Sequence, residues 1–170
     1  LMLQKYRYGD RLTYDIAVPD LVMKYYIPRF ILQPLVENAL KHGINTLPEG
    51  GNISILARLS QTEEAPSSED EGSYNGKEED AGSTKKANRI LLIDVVNDGT
   101  GIDLDKMKGI LSYHPEDSEL LAFQAEGYGV QNIFRRIKVT CGDDYGLSYS
   151  VERARTVCRI TLPVKETDES

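Results

Sequence analysis

Apolar and polar positions alternate over residues 11–18 (RLTYDIAV), which predicts a strand stopped by Pro19. Residues 29–42 change to helical spacing and end at Gly43, a natural C-terminal cap. Two strand-like runs follow, 51–59 (GNISILARL) and 89–96 (RILLIDVV), and residues 97–102 (NDGTGI) read as a turn. Short helices are predicted at 103–112 and 117–125, in a polar stretch. Helical periodicity resumes over 130–139, with Val130, Ile133, Phe134 and Ile137 on one face. Residues 146–153 and 156–163 read as a closing hairpin. Helices and strands interleave while the hairpins demand antiparallel pairing, so a two-layer α/β sandwich fits better than a doubly wound parallel sheet.

One stretch breaks this pattern. Residues 60–88 carry 8 acids and 3 bases and almost no large aliphatic side chain. Such a segment buries too little apolar surface to offset its ordering entropy, and it is expected to be a disordered acidic insertion between paired strands. It also holds most of the net charge of −7, since the rest has 19 acids against 17 bases. The 170 residues suit a single domain, 1–170, with a real core. No clustered Lys and Arg favour nucleic acid or an anionic membrane, and no apolar run approaches the ~18–20 residues of a membrane span. Cys141 and Cys158 lack metal-site spacing and are too few for a disulfide scaffold. The chain opens on Leu1 and reads as a piece of something longer.

Several familiar chemistries fail. Residues 72–77 (GSYNGK) have one residue too few between the glycines for a phosphate loop, and Glu78 stands where a hydroxyl should bind magnesium. The Gly127-Tyr128-Gly129 start lacks the third glycine of a dinucleotide fingerprint. GxSxG, HExxH and CxxC are absent from the chain. Three polar islands remain. Asn38, Lys41 and His42 stand at i, i+3 and i+4, an amide oxygen beside an ammonium, which suits a magnesium–phosphate ligand. Asp98, followed by Gly99, Thr100 and Gly101, ends an apolar strand with a carboxylate able to accept from a purine amine. Glu126-Gly127-Tyr128-Gly129 offers glycine-flanked amides to phosphate oxygens at a helix start. Singly, each has a plain alternative: a solvated helix face, an Asp-Gly turn, a flexible connection.

Together, in this order and spacing, the islands resemble the ATP-binding catalytic domain of sensor histidine kinases, in the GHKL ATPase superfamily. The string from Tyr8 to Leu12, Ile27-Pro28 and LQPLVENALKHG (32–43) resemble the entry to the N box of the YesM/LytS-like branch. Asp98 to Gly101 resembles the G1 box, and GYGVQNIFRRI (127–137) the G2 box and its helix. The resemblance implies the Bergerat fold, a mixed sheet with helices on one face, and the cofactors ATP and Mg2+. It implies that Asn38 ligates magnesium and that Lys41 and His42 face phosphates or ribose, with Asn38 and Lys41 the catalytic pair. Asp98 would read adenine. Gly99 and Gly101 would hinge an ATP lid over residues 102–126, Gly127 and Gly129 would close it, and Asn132 lies one turn into the next helix. Thr156 would support Asp98 through water, although Arg155 replaces the family's preceding glycine.

The family transfers the γ-phosphoryl of ATP to a histidine on a separate dimerisation domain, and from there to a response regulator. His42 belongs to the nucleotide site and His114 to the lid, so the acceptor is expected outside this chain. The resemblance implies a cytoplasmic domain of a membrane-anchored bacterial sensor kinase, contacting neither membrane nor nucleic acid itself. Two rivals share the motifs: a stand-alone serine kinase of the anti-sigma type, and a non-catalytic nucleotide-sensing module. Hydrolysing relatives carry a glutamate one turn before the magnesium asparagine. Pro34 holds that place here, Glu37 projects ~100° away, and Gln33 is too weak a base. Slow hydrolysis is therefore expected.

Overall fold

The computed structural model describes residues 1–62, 88–99, 102–112 and 128–165. Its centre is a five-stranded sheet in the order β1-β2-β3-β5-β4. The strands are β1 (Leu12–Ala17), β2 (Gly51–Thr62), β3 (Asn88–Asp98), β4 (Gly146–Glu152) and β5 (Arg155–Pro163). β1 runs parallel to β2 and every other pair is antiparallel, so the sheet is mixed. The helices are α1 (Met2–Tyr8), α2 (Asp20–Met23), α3 (Leu32–His42), α4 (Leu104–Leu111) and α5 (Tyr128–Cys141).

Alternation along the strands builds the two layers. Ile53, Ile55 and Ala57 of β2, Leu91, Ile93 and Val95 of β3, and Cys158, Ile160 and Leu162 of β5 are buried in one core. Leu35, Val36, Ala39 and Leu40 of α3 and Val130, Ile133, Phe134 and Ile137 of α5 fill the other side of it. These helical positions recur at three and four residues, as one face of a helix requires. This is the expected two-layer α/β sandwich, with α3 and α5 on the same face of the sheet.

Boundaries moved where tertiary partners outweighed local signals. The helix expected from residue 29 begins at Leu32, because Phe30 has φ +60°, which no right-handed helix accommodates. Pro34 is tolerated because first-turn amides need no helical acceptor. β2 and β3 run past their predicted ends. Ser60 pairs with Ile90, Gln61 with Arg89 and Thr62 with Asn88, so the ends of the acidic stretch are strand. Its remainder lies outside the described residues. At the other end of β3, Asn97 pairs with Ile53 and Thr156, and Asp98 pairs with Arg155. Both had read as turn. Asp103 caps α4 by accepting from the backbone N–H of Asp105 and Lys106 at 3.1 and 3.0 Å. The short helix expected at 117–125 lies outside the described residues.

Candidate functional site

The extension of β3 by two residues decides the site, because successive strand residues face opposite sides of a sheet. Asn97 points to the helix side, 5% exposed, beneath the C-terminal end of α3. Gly43, which caps that helix, makes the approach possible. A Cβ there would lie 2.0 Å from Asn97 Nδ2, so any other residue would push α3 off the strand. Asn97 Nδ2 donates to the Asp98 carbonyl oxygen at 2.8 Å. That carbonyl can only accept, so it fixes the amide and leaves Oδ1 as the acceptor end.

Around Asn97 a cleft opens between α3 and the sheet. Leu35, Ala39, Val95 and Ile102 supply apolar walls, and Asn38, His42, Asn97, Tyr149 and Thr156 supply polar groups. Thr156 is buried and donates from Oγ1 to the carbonyl oxygen of Gly99 at 2.8 Å. Gly99 has φ +102°, a conformation that glycine adopts without strain, and so turns the chain away at the rim. Cys158 forms part of the floor, and burial pushes its thiol pKa up to about 12. It is a neutral, inert thiol at physiological pH. Burial likewise raises the Tyr149 phenol above its ordinary value. The described lining contains no carboxylate, lysine or arginine. Flat apolar walls with a few convergent neutral hydrogen-bonding groups suit a heteroaromatic ring with a polar edge.

Asp98 faces the other way. Its Oδ2 accepts from the backbone N–H of Asn52 at 2.9 Å, and its Oδ1 lies 3.1 Å from Arg155 Nε. The carboxylate thus ties the end of β3 to β2 and β5, outside the cleft lining.

No protein-family model matches the chain. It is 29% identical over its full length to the sensor histidine kinase BtsS of Escherichia coli K12. Over 97% of its length it is 26% identical to the sensor histidine kinase YesM of Bacillus subtilis 168. The chain spans 22% of the length of each of these curated relatives. In structure it superposes on the catalytic domain of the histidine kinase ThkA with a TM-score of 0.56, covering 98% of this chain and 88% of that one at 13% identity. The chain is thus similar in sequence to sensor histidine kinases, and its fold is that of a histidine kinase catalytic domain.

The kinase-type motifs inferred from sequence meet only in part. Asn38, His42 and Thr156 line the cleft together. Lys41 is exposed on α3 and does not line it. Gly129 lies in the first turn of α5, its Cβ position 3.6 Å from Pro34, and Asn132 is exposed one turn later. Gly101 and Gly127 lie outside the described residues, as do positions 113–126 of the lid, whose start contains α4. Asp98 is a correction. It was expected to read the base, but strand pairing continues through Asn97 and Asp98, and the cleft is lined by Asn97 and not by Asp98. Thr156 accordingly serves Gly99 and sits across from Asn97 instead of supporting Asp98. Sequence reasoning missed Asn97 and Tyr149. Asn97 was findable, since it, and not Asp98, lies two residues before Gly99 and four before Gly101 in the Asn97-Asp98-Gly99-Thr100-Gly101 run.

Proposed function

We propose that this chain is the ATP-binding catalytic domain of a two-component sensor histidine kinase, a single unit over 1–170 in which residues 102–126 act as the ATP lid. The observation that carries the reading is the cleft, its described lining without carboxylate, lysine or arginine, in which Asn38, His42, Asn97 and Thr156 converge beneath the cap of α3. The Asn97 Oδ1, fixed as an acceptor, receives the exocyclic amine of adenine, while Val95, Ile102 and Leu35 take the ring faces. Thr156 holds the Gly99 turn that borders the base.

Asn38 offers a carboxamide oxygen on the rim of the cleft, the kind of ligand Mg2+ accepts when most of its shell is water and phosphate. Among the described residues no cluster of three or more His, Cys, Asp or Glu could hold a metal alone. The fit is therefore to a cation that arrives with the triphosphate, where it neutralises phosphate charge. Lys41 and His42, with Gly99, Gly101, Gly127, Gly129 and Asn132, complete the site around the ribose and phosphates. Phosphoryl transfer of this kind is mostly positioning and charge neutralisation. The acceptor is a histidine on a dimerisation domain of the same full-length protein, and a response regulator follows. A solved complex of ThkA with the response regulator TrrA contains a chain of the same fold. The protein would be membrane-anchored with this domain in the cytoplasm. No helix among the described residues is long and apolar enough to cross a membrane.

Slow hydrolysis belongs to the same reading. Glu37 is exposed and accepts from Gln33 Nε2 at 3.0 Å, outside the cleft lining, so among the described residues no carboxylate lines the cleft to activate water. Calorimetry should show Mg-ADP binding to the purified chain with slow phosphate release from Mg-ATP. Adding a histidine-bearing dimerisation domain should yield phosphohistidine, abolished by Asn38→Ala. Absence of nucleotide binding, or rapid phosphate release abolished by Glu37→Gln, would overturn the kinase reading.

A further inference from the structure

Tyr149 lies on β4 directly across from Cys158 and lines the nucleotide cleft with Asn38. Its hydroxyl is wholly buried and makes no hydrogen bond of good geometry, although the Asn38 amide and the Cys158 thiol lie close enough to interact with it. Two tyrosine hydroxyls share that condition among the described residues, Tyr25 and Tyr149, and of these only Tyr149 lines the cleft. A phenylalanine would pack the same ring without burying a poorly satisfied group, so a hydroxyl here asks for better-formed hydrogen bonds than the free protein gives it. Its polar neighbours are the Asn38 amide and the Cys158 thiol, which act on it from opposite sides of the ionisation balance. Burial keeps both the phenol and the thiol protonated.

Asn38 has the complementary problem. A carboxamide has an acceptor end and a donor end, and only the oxygen is useful to a cation. If nothing holds the NH2 end, the group rotates and the cleft meets oxygen only part of the time. We propose that Tyr149 is the positioning residue for Asn38: on nucleotide binding its hydroxyl oxygen accepts from Asn38 Nδ2, so that Asn38 Oδ1 faces the magnesium–phosphate unit. The phenolic O–H then points to Cys158 Sγ, a weak acceptor held neutral by burial. The order Asn38 NH2 to Tyr149 oxygen, and Tyr149 O–H to Cys158 sulfur, uses each donor once and leaves the carboxamide a single orientation. This inference rests on the nucleotide reading of the cleft. It adds a residue from the opposite layer of the sandwich to the metal side of the site.

The test separates that role from packing. In Tyr149→Phe the melting temperature of the free protein should stay close to wild type or rise, because only poorly formed hydrogen bonds are lost with the buried hydroxyl. Affinity for Mg-ADP should fall about five- to thirtyfold, while affinity for ADP in EDTA stays within twofold, since the hydroxyl acts through the metal ligand. In an Asn38→Ala background the same change should have no effect on Mg-ADP. On the unaltered protein, Mg-ADP should slow the solvent exchange of the Asn38 side-chain NH2 protons in NMR spectra, and ADP in EDTA should not. A Tyr149→Phe protein that binds Mg-ADP like wild type, or that loses affinity equally with and without magnesium, would overturn the assignment. So would Asn38 NH2 protons indifferent to Mg-ADP. Failure of the wild type to bind ADP at all would instead overturn the nucleotide reading, and this inference with it.

Discussion

The two sides of β3 solve different problems with neighbouring residues. On the helix side, Val95 and Asn97 face a cleft whose polar groups are amides, hydroxyls, the His42 imidazole and the Cys158 thiol. On the other side, Asp94 and Asp98 are both held by arginines. Arg159 approaches Asp94 in bidentate fashion at 2.7 and 3.0 Å, and Arg58 adds a third contact at 2.7 Å. Burial alone would raise the Asp94 pKa, but hydrogen bonds from Arg159 and Arg58 outweigh it and hold the carboxyl below its ordinary value. Charge here ties three strands together, β2, β3 and β5. Neutral groups on the cleft side stay available to a ligand. A carboxylate in this chain is thus a poor guide to the binding face.

The largest expected consequence is on the charged side. Asp94→Asn leaves two guanidiniums without their shared anion and should destabilise the fold by about 2–3 kcal/mol, read by denaturant titration. Mg-ADP affinity should not change, because Asp94 lies behind the sheet from the cleft. The pH dependence has a definite sign. A carboxyl whose folded pKa is lowered contributes stability that is present above its unfolded pKa of about 3.9 and lost as pH falls through the folded value. Wild type should therefore lose stability below about pH 4 more steeply than Asp94→Asn.

A smaller effect belongs to the turn that sets the two faces in register. Arg153 and Ala154 join β4 to β5 with φ +50° and +62°, both in the left-handed region. Two-residue hairpin turns of this shape favour Asn-Gly, and neither residue here is suited to it. Arg153→Asn with Ala154→Gly should stabilise the protein by about 1 kcal/mol while leaving Thr156 opposite Asn97. A thermal melt that drops instead would mean Arg153 or Ala154 makes a compensating contact.

Much of the scaffold was legible in the chain. The spacing of Leu35, Val36, Ala39 and Leu40 gave α3 and its buried face, and Gly43 marked its end. The paired runs on either side of the acidic stretch gave β2 and β3, because each carries a full set of apolar positions. The site was legible at the level of segments and not of side chains. Asn97-Asp98-Gly99 has the composition of a turn, and only the cross-strand partners Ile53, Thr156 and Arg155 keep it in the ladder long enough to separate the two faces. Phe30 was read as helix for the same reason, since local periodicity carries no record of a positive φ. Tyr149 had no signal of its own: one tyrosine in SYS gains meaning only when β4 brings it under Asn38.

The central claim is that the neutral face reads the nucleotide and the charged face holds the sheet. It is tested most directly by the Mg-ADP affinities of Asn97→Ala and Asp98→Asn measured side by side. Asn97→Ala should weaken binding about tenfold or more, the scale of about 1.4 kcal/mol for a lost acceptor in a desolvated site. Asp98→Asn should bind within twofold of wild type and lose under about 1 kcal/mol of stability, as its half-exposed pair with Arg155 warrants. The reverse order, with Asp98→Asn failing to bind while Asn97→Ala binds normally, would contradict the account.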